Sequence, residues 1–271
     1  MLVKEYRIAL PLELEEYNRG LLYGVAEASK NETGGGEGVE LVEQYDFTDE
    51  TLVPSQPPMS GTFTHKIYRI KSKCPWMIQK LLHEDAFEVH EESWNAYPYC
   101  KTICTNPKYM KDNFYLCIES IHLEDDGNIE NPLNGPSKRD IVYLDICDDA
   151  LIHKNDYDKN TDPKLWHSEA ANRGPLERDW TENRKTPLIY AYKMVSIKFK
   201  WKGLQKMIEK AVQKAYPRLF AKFNRECVCW MDQWHNMSMA SILEFEQKLA
   251  KECKEQMKDN RKRGMTYHEH T

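Results

Sequence analysis

Apolar and polar residues alternate from Leu2 to Leu10, the two-residue period of a β-strand. After Pro11, Leu14, Tyr17, Leu21, Leu22 and Val25 recur at helical spacing, which predicts a helix ending at the glycine run Gly34-Gly35-Gly36. Strand-like segments follow at VELVEQY, TFTHKIYRI, YPYCKTICT, FYLCIESI, IVYLDIC and PLIYAYKMVSIKFKW, separated by loops rich in Pro, Asn, Asp and Gly. Few long helical patterns fall between them, so an antiparallel meander is expected in place of a doubly wound parallel sheet. Residues 43–61, which include prolines, read as a variable loop. After Gly203 the period becomes helical: Leu204, Met207, Ile208, Ala211, Val212, Ala215, Leu219, Phe220, Phe223, Cys227 and Trp230 form one apolar stripe. Pro217 is expected to kink that helix without ending it. A last helix should begin near Ser238 or Ser241, where Ser241 and Glu244 fit a capping box, and should stop by Gly264. With no internal repeat and no clear linker, the expectation is one α+β domain whose curved sheet grips a long helix.

Charge and cysteine usage narrow the function. The 38 basic and 43 acidic side chains leave a net charge of −5, which argues against nucleic acid as the partner. The first residues lack the basic-then-apolar pattern of a signal peptide, and no apolar run is long enough to span a bilayer. Eight scattered cysteines fit a reducing, cytoplasmic setting, where the sequons at Asn31 and Asn236 would be inert. The glycine run follows a helix and precedes a strand, the wrong order for a phosphate loop, and reads as a helix cap and tight turn. His90-Glu91-Glu92-Ser93-Trp94 opens like a zinc-protease helix but lacks the second histidine. Neither the Cys100/Cys104 nor the Cys227/Cys229 pair has the spacing of a zinc site. No metal, cofactor or catalytic group is called for.

Polar groups on apolar faces are more informative. Lys193 is the one charge on a strand face with Ile189, Ala191, Val195, Ile197, Phe199 and Trp201. Thr64 and Lys66 share a face with Tyr68 and Ile70. Cys100, Thr102 and Cys104 share another, and Ser120 accompanies Phe114, Leu116 and Ile118. Glu246 sits within the apolar stripe of the last helix, between Ile242 and Leu249. A lone buried charge costs several kcal/mol. Each group taken singly is equally well explained by snorkelling or by a protein partner. Together they fit an apolar cavity with hydroxyls and cations at one polar end, the shape a phospholipid needs.

The segments KEYRIALP, YGVAEASKNETGGGEGVE, THKIY, WNAYPYCKT, RGPL, AYKMVSIKFKW and CWMDQW, taken in order, carry a full-length resemblance to the class I phosphatidylinositol transfer proteins. That resemblance implies a START-like helix-grip fold of one domain over 1–271, with 238–271 as lid helix and tail. It implies a non-enzymatic, monomeric carrier that exchanges phosphatidylinositol and phosphatidylcholine, touches membranes transiently and supplies phosphoinositide synthesis. By matching position, Thr64, Lys66, Asn95 and Glu246 would contact the inositol ring, and Thr102, Ser120 and Lys193 the phosphate. Cys100 would lie beside the headgroup and Phe223 near the choline. The chain departs from the family pattern at Leu21, where a phosphate-contacting glutamine is usual, and at Ser120, where threonine is usual. At Trp201-Lys202 a membrane-docking tryptophan pair loses one ring and gains a cation. Trp201 is read as membrane-facing, with packing under the following helix as the alternative. Ser168 matches a phosphorylation site of the family, but within its surroundings WHSEAANRG Glu169 lies next door and Arg173 is the only basic residue downstream, which argues against modification. The basic end of the last helix, KDNRKRG, reads as ordinary helix-dipole complementation. The alternative function is a START-like binder or sensor of a sphingolipid or sterol without exchange, and an enzyme on this fold ranks behind both.

Overall fold

The computed structural model describes the chain apart from residues 1, 55, 184, 202, 204 and 265–271, and apart from the side chains of 210 and 213. In chain order the elements are β1 (Leu2–Leu10), α1 (Leu14–Glu32), β2 (Gly38–Glu50), β3 (Met59–Arg69), α2 (Trp76–Leu81), β4 (Glu88–Ala96) and β5 (Tyr99–Thr105). There follow β6 (Phe114–Leu123), β7 (Asp140–Asp145), α3 (Trp180–Asn183), β8 (Ile189–Phe199), α4 (Gln205–Cys229), α5 (Met231–Trp234) and α6 (Met239–Gln256). All eight strands form one curved open sheet in the order β2-β3-β4-β5-β6-β8-β1-β7. The α+β, START-like expectation holds, while the pure meander needs correction because β7 pairs parallel to β1 at the edge.

The inner face of the sheet and helices α1, α4, α5 and α6 enclose the main core, built on Tyr6, Ile8, Tyr17, Val195, Val228 and Trp234. A second apolar cluster, including Phe47, Phe63, Tyr99, Leu133, Tyr192 and Met194, covers part of the outer face. Burial on both faces is why β8 is apolar at almost every position and does not alternate cleanly. Beneath that outer cover Glu5, fully buried, is held by Arg7 at 2.7 Å and Arg139 at 2.6 Å, so its charge is compensated from two sides.

Two boundary expectations change. Residues 43–50 are not loop: β2 continues to Glu50 and pairs with β3, leaving only 51–58 as the connection. Of the two candidate caps for α6, Ser238 is used, its hydroxyl accepting from the Ser241 N–H at 3.1 Å; Ser241 lies inside the first turn, so the Ser241–Glu244 box does not form. Helix α4 passes through Pro217 without ending, and Leu219 of its stripe stays exposed. Leu204 lies outside the described residues.

The glycine run is a turn between α1 and β2, with Gly35 and Gly36 at φ 64° and 77°. It is also a seat for the C-terminal segment. The Gly36 N–H donates to the Met257 carbonyl at 3.1 Å, and a Cβ at Gly34 would overlap the Arg261 carbonyl. Glu37 accepts from Lys262 Nζ at 3.2 Å and from the Ser72 N–H at 3.1 Å, while Lys73 Nζ donates to the Arg263 carbonyl at 2.5 Å. The turn, the approach to α2 and the segment after α6 therefore meet at one junction.

Candidate functional site

Register brings the singled-out polar residues onto one face. In one row across the sheet Asn95, Cys100, Ser120, Lys193 and Tyr6 are successive cross-strand partners. Two residues along, Gln44, Thr64, Ser93 and Thr102 form the next row and then give way to Ile118 and Val195. The third row reads Leu41, Lys66, Glu91, Cys104, Leu116 and Ile197. The polar positions thus run diagonally across an otherwise apolar wall, from Lys66 and Glu91 towards Lys193.

At one end of the diagonal, Gln44, Thr64 and Lys66 line a small cavity together with Glu246 from α6 and Ser29 from α1. Leu249 and Cys253 of α6 complete its roof with Val25 and Ala26 of α1. Burial raises the pKa of the Glu246 carboxyl, with Lys66 and a hydrogen bond from Gln44 opposing the rise. Burial likewise raises Glu91, opposed by Lys66 and by the Tyr68 O–H, which donates to it at 3.2 Å. Two acceptors here are buried without a hydrogen-bond partner: Glu246 Oε2 and Asn95 Oδ1.

At the other end, Lys193 Nζ donates to Ser120 Oγ at 3.2 Å and lies 5.5 Å from the centre of the Phe220 ring. No carboxylate of the described residues forms an ion pair with it, and burial pushes its pKa down. Ser93 Oγ sits 3.0 Å from Thr102 Oγ1 and 3.6 Å from Cys100 Sγ, linking the two ends through hydroxyls. A lone desolvated cation flanked by hydroxyl donors is suited to a phosphate, and the first cluster, with acceptors and an ammonium, is suited to a polyol.

The structure therefore gathers Thr64, Lys66 and Glu246 into one group and Ser120 and Lys193 into another, with Asn95, Cys100 and Thr102 between them. The ring over the Lys193 ammonium belongs to Phe220, whereas Phe223 packs beside Gly24 of α1. Leu21 packs against the main core. Trp201 is half-buried and stacks on Tyr109, ring centres 5.5 Å apart, so neither full exposure nor packing under α4 describes it. Lys202 lies outside the described residues. Glu91, Ser93, Gln44 and Phe220 were not singled out as site residues by sequence reasoning. For Glu91 and Ser93 the available signal was their two-residue spacing with Asn95.

Ser168 is apart from this site and fully buried. Its hydroxyl donates to Asp232 at 2.5 Å and accepts from the Ala171 N–H at 3.1 Å, so a kinase could reach it only after the turn had opened. Partial burial would raise the Asp232 carboxyl, but hydrogen bonds from Ser168 and from the Ala170 and Glu169 N–H groups hold it below its ordinary value. A depressed carboxylate adds stability above its unfolded pKa and loses it as pH falls through the folded one. Asp232→Asn is therefore expected to lower the thermal midpoint at pH 7, with the difference from wild type shrinking below about pH 4. Melting curves across pH 3–7 check this.

Among the described residues no helix is long and apolar enough to cross a membrane. The family model described as phosphatidylinositol transfer protein matches residues 1–251. The chain is 42% identical to the phosphatidylinositol transfer protein beta isoform of Bos taurus over 97% of both chains. It is 38% identical to phosphatidylinositol transfer protein 1 of Dictyostelium discoideum over 96% of this chain and 97% of that one. It is also 37% identical to membrane-associated phosphatidylinositol transfer protein 2 of Homo sapiens, over 91% of this chain but only 18% of that larger protein. These relatives carry the names of transfer proteins and not of enzymes. The diagonal polar stripe thus lies in a chain similar to them along nearly its whole length, and the chain belongs to the phosphatidylinositol transfer protein family.

Proposed function

We propose that this chain carries one phospholipid at a time, exchanges phosphatidylinositol and phosphatidylcholine between membranes, and so supplies phosphatidylinositol for phosphoinositide synthesis. It acts as a cytoplasmic monomer that touches membrane surfaces transiently. Lys193, Ser120 and Thr102 hold the phosphodiester, with Cys100 beside it. Thr64, Lys66, Asn95 and Glu246 read the inositol ring, whose hydroxyls need donors and acceptors together. The acyl chains lie along the apolar rows beyond, against Leu116, Ile118, Val195 and Ile197. Choline offers no hydroxyl and finds an aromatic face, for which Phe220 is better placed than Phe223. Trp201 and Lys202 belong to the membrane-facing end.

The observation that carries this reading is the Lys193 cation, without an ion-pair partner among the described residues, on the same wall as two buried acceptors without hydrogen-bond partners there, Asn95 Oδ1 and Glu246 Oε2. A sterol, with one hydroxyl and no charge, would leave that cation and those acceptors unanswered, which disfavours the sterol form of the sensor alternative.

At ~0.8 kcal/mol per methylene, pulling two acyl chains through water would cost ~20 kcal/mol or more. An apolar wall opened at the membrane surface avoids that step, and α6 with the segment after it is the cover that must move. The direct test is movement of labelled phosphatidylinositol and phosphatidylcholine between donor and acceptor liposomes. Transfer of both supports the carrier; stable binding with no transfer of either leaves the sensor.

A further inference from the structure

Strand β2 carries an irregularity that decides which of its side chains enters the cavity. Leu41 pairs with Lys66 and Glu43 with His65, so Val42 is an extra residue and the ladder is bulged there. Continued two-residue alternation from Leu41 would send Glu43 inwards. The bulge resets the alternation, and Gln44, paired with Thr64, lines the cavity in its place. The cavity thereby receives a neutral amide where a second carboxylate, beside Glu246, would otherwise point.

The charges show what that amide can do. Glu91 and Glu246 are both half-buried, and the charge of Lys66 opposes the rise in pKa of both. The Tyr68 O–H donates to Glu91 at 3.2 Å, and the Gln44 side chain, which lines the same cavity as Glu246, opposes the rise in its pKa. A neutral donor supports a carboxylate without cancelling its charge, so the second oxygen stays a strong acceptor. Glu246 Oε2 is buried without a hydrogen-bond partner.

The geometry points to Gln44 as a positioning residue for inositol recognition: re-aimed by the bulge at Val42, its amide holds the Glu246 carboxylate of α6 in place beside Lys66 and Thr64, with the other oxygen presented to the ring. This rests on the headgroup reading above and adds a residue that the sequence had placed in a variable loop. It also ties recognition to closure, because the amide belongs to the sheet and the carboxylate to the covering helix.

The test compares wild type, Gln44→Met, Glu246→Gln and the double variant in liposome transfer of phosphatidylinositol and phosphatidylcholine from pH 5 to 8. Methionine keeps the length of glutamine and removes the donor. Gln44→Met should reduce inositol-lipid transfer about tenfold, the scale of one hydrogen bond to a charged group, and change phosphatidylcholine transfer less than twofold. Its acid limb for inositol lipid should move to higher pH, because burial of Glu246 is then opposed by Lys66 alone. The titratable groups facing Glu246 are Lys66 on β3, Glu91 on β4 acting through Lys66, and Cys253 on α6; the cavity-lining residues of α1 and β2 include none. In the Glu246→Gln background, Gln44→Met should add no further loss. An unchanged acid limb, or equal loss of both lipids, overturns the role of Gln44 while the headgroup reading stands. Undiminished phosphatidylinositol transfer by Glu246→Gln alone overturns that reading and this inference with it.

Discussion

Lys66→Ala is expected to abolish phosphatidylinositol transfer and leave phosphatidylcholine transfer running. The Lys66 charge opposes the burial-driven rise in pKa of two half-buried carboxyls, Glu91 and Glu246. Removing it takes away a donor to the ring and drives both carboxyls towards their neutral forms, so acceptors are lost together with the donor. Losing two or more charge-assisted hydrogen bonds corresponds to at least about a hundredfold. A choline headgroup makes none of these bonds and should be spared. Thr64→Asp should give the same selectivity, because it adds a carboxylate to a cavity already lined by Glu246. Transfer assays run in parallel on the two lipids decide it; comparable loss of both would mean that the fold or the phosphate end had been damaged.

Lys193→Met should act on both lipids alike and have a second effect of opposite sign. Without its ammonium the phosphate meets only hydroxyls, so both transfers should fall by at least about a hundredfold. In lipid-stripped protein, however, Lys193 is a desolvated cation without an ion-pair partner among the described residues. Replacing it by an apolar side chain of similar length is expected to stabilise that form by on the order of 1–4 kcal/mol. At roughly 2–4 °C per kcal/mol for a chain of this size, calorimetry should show a higher midpoint for the variant. The pH dependence has a definite sign. The folded pKa of Lys193 lies below the unfolded value, so the unfolded chain binds more protons between them and wild-type stability contributed by this group rises with pH there. The advantage of Lys193→Met should therefore narrow under alkaline conditions. A variant that melts lower than wild type when stripped of lipid would show that the ammonium is compensated within the protein.

Much of the architecture was legible where one face of an element meets the core and the other meets solvent. The helical stripe of α1 and the long stripe of α4 follow that rule, whereas β1 alternates in sequence although its outward Glu5 and Arg7 are buried as well. Strand β4 does not, because its inner face carries Glu91, Ser93 and Asn95 and its outer face His90 and Glu92, so no apolar period survives. The site itself erased the signal of the strand that builds it. Asn95 was accordingly placed by family resemblance alone, whereas Thr64, Lys66, Lys193 and Glu246 stood out because their own elements remain apolar around them. The second half of β2 was hidden for another reason: a bulge breaks its period, and nearby prolines suggested a loop. The parallel pairing of β7 depends on where the long segment between β6 and β7 leads the chain, which no local pattern records. Phe220 and Phe223 lie on the same stripe, and only the crossing of α4 over β8 decides which ring meets Lys193.

The cavity is assembled from β2 and β3 near the start of the chain and from Glu246 on α6 near its end. During synthesis the wall is complete once β8 has emerged, but the helix that closes over Glu246's partners is finished only about 60 residues later, some 3–12 s at ordinary elongation rates. Throughout that interval an apolar sheet face stands open on the ribosome. Folding of this chain thus passes through a stage that exposes the same surface as the opening proposed above for lipid exchange, and whatever shields that surface from aggregation has to act before the last helix exists.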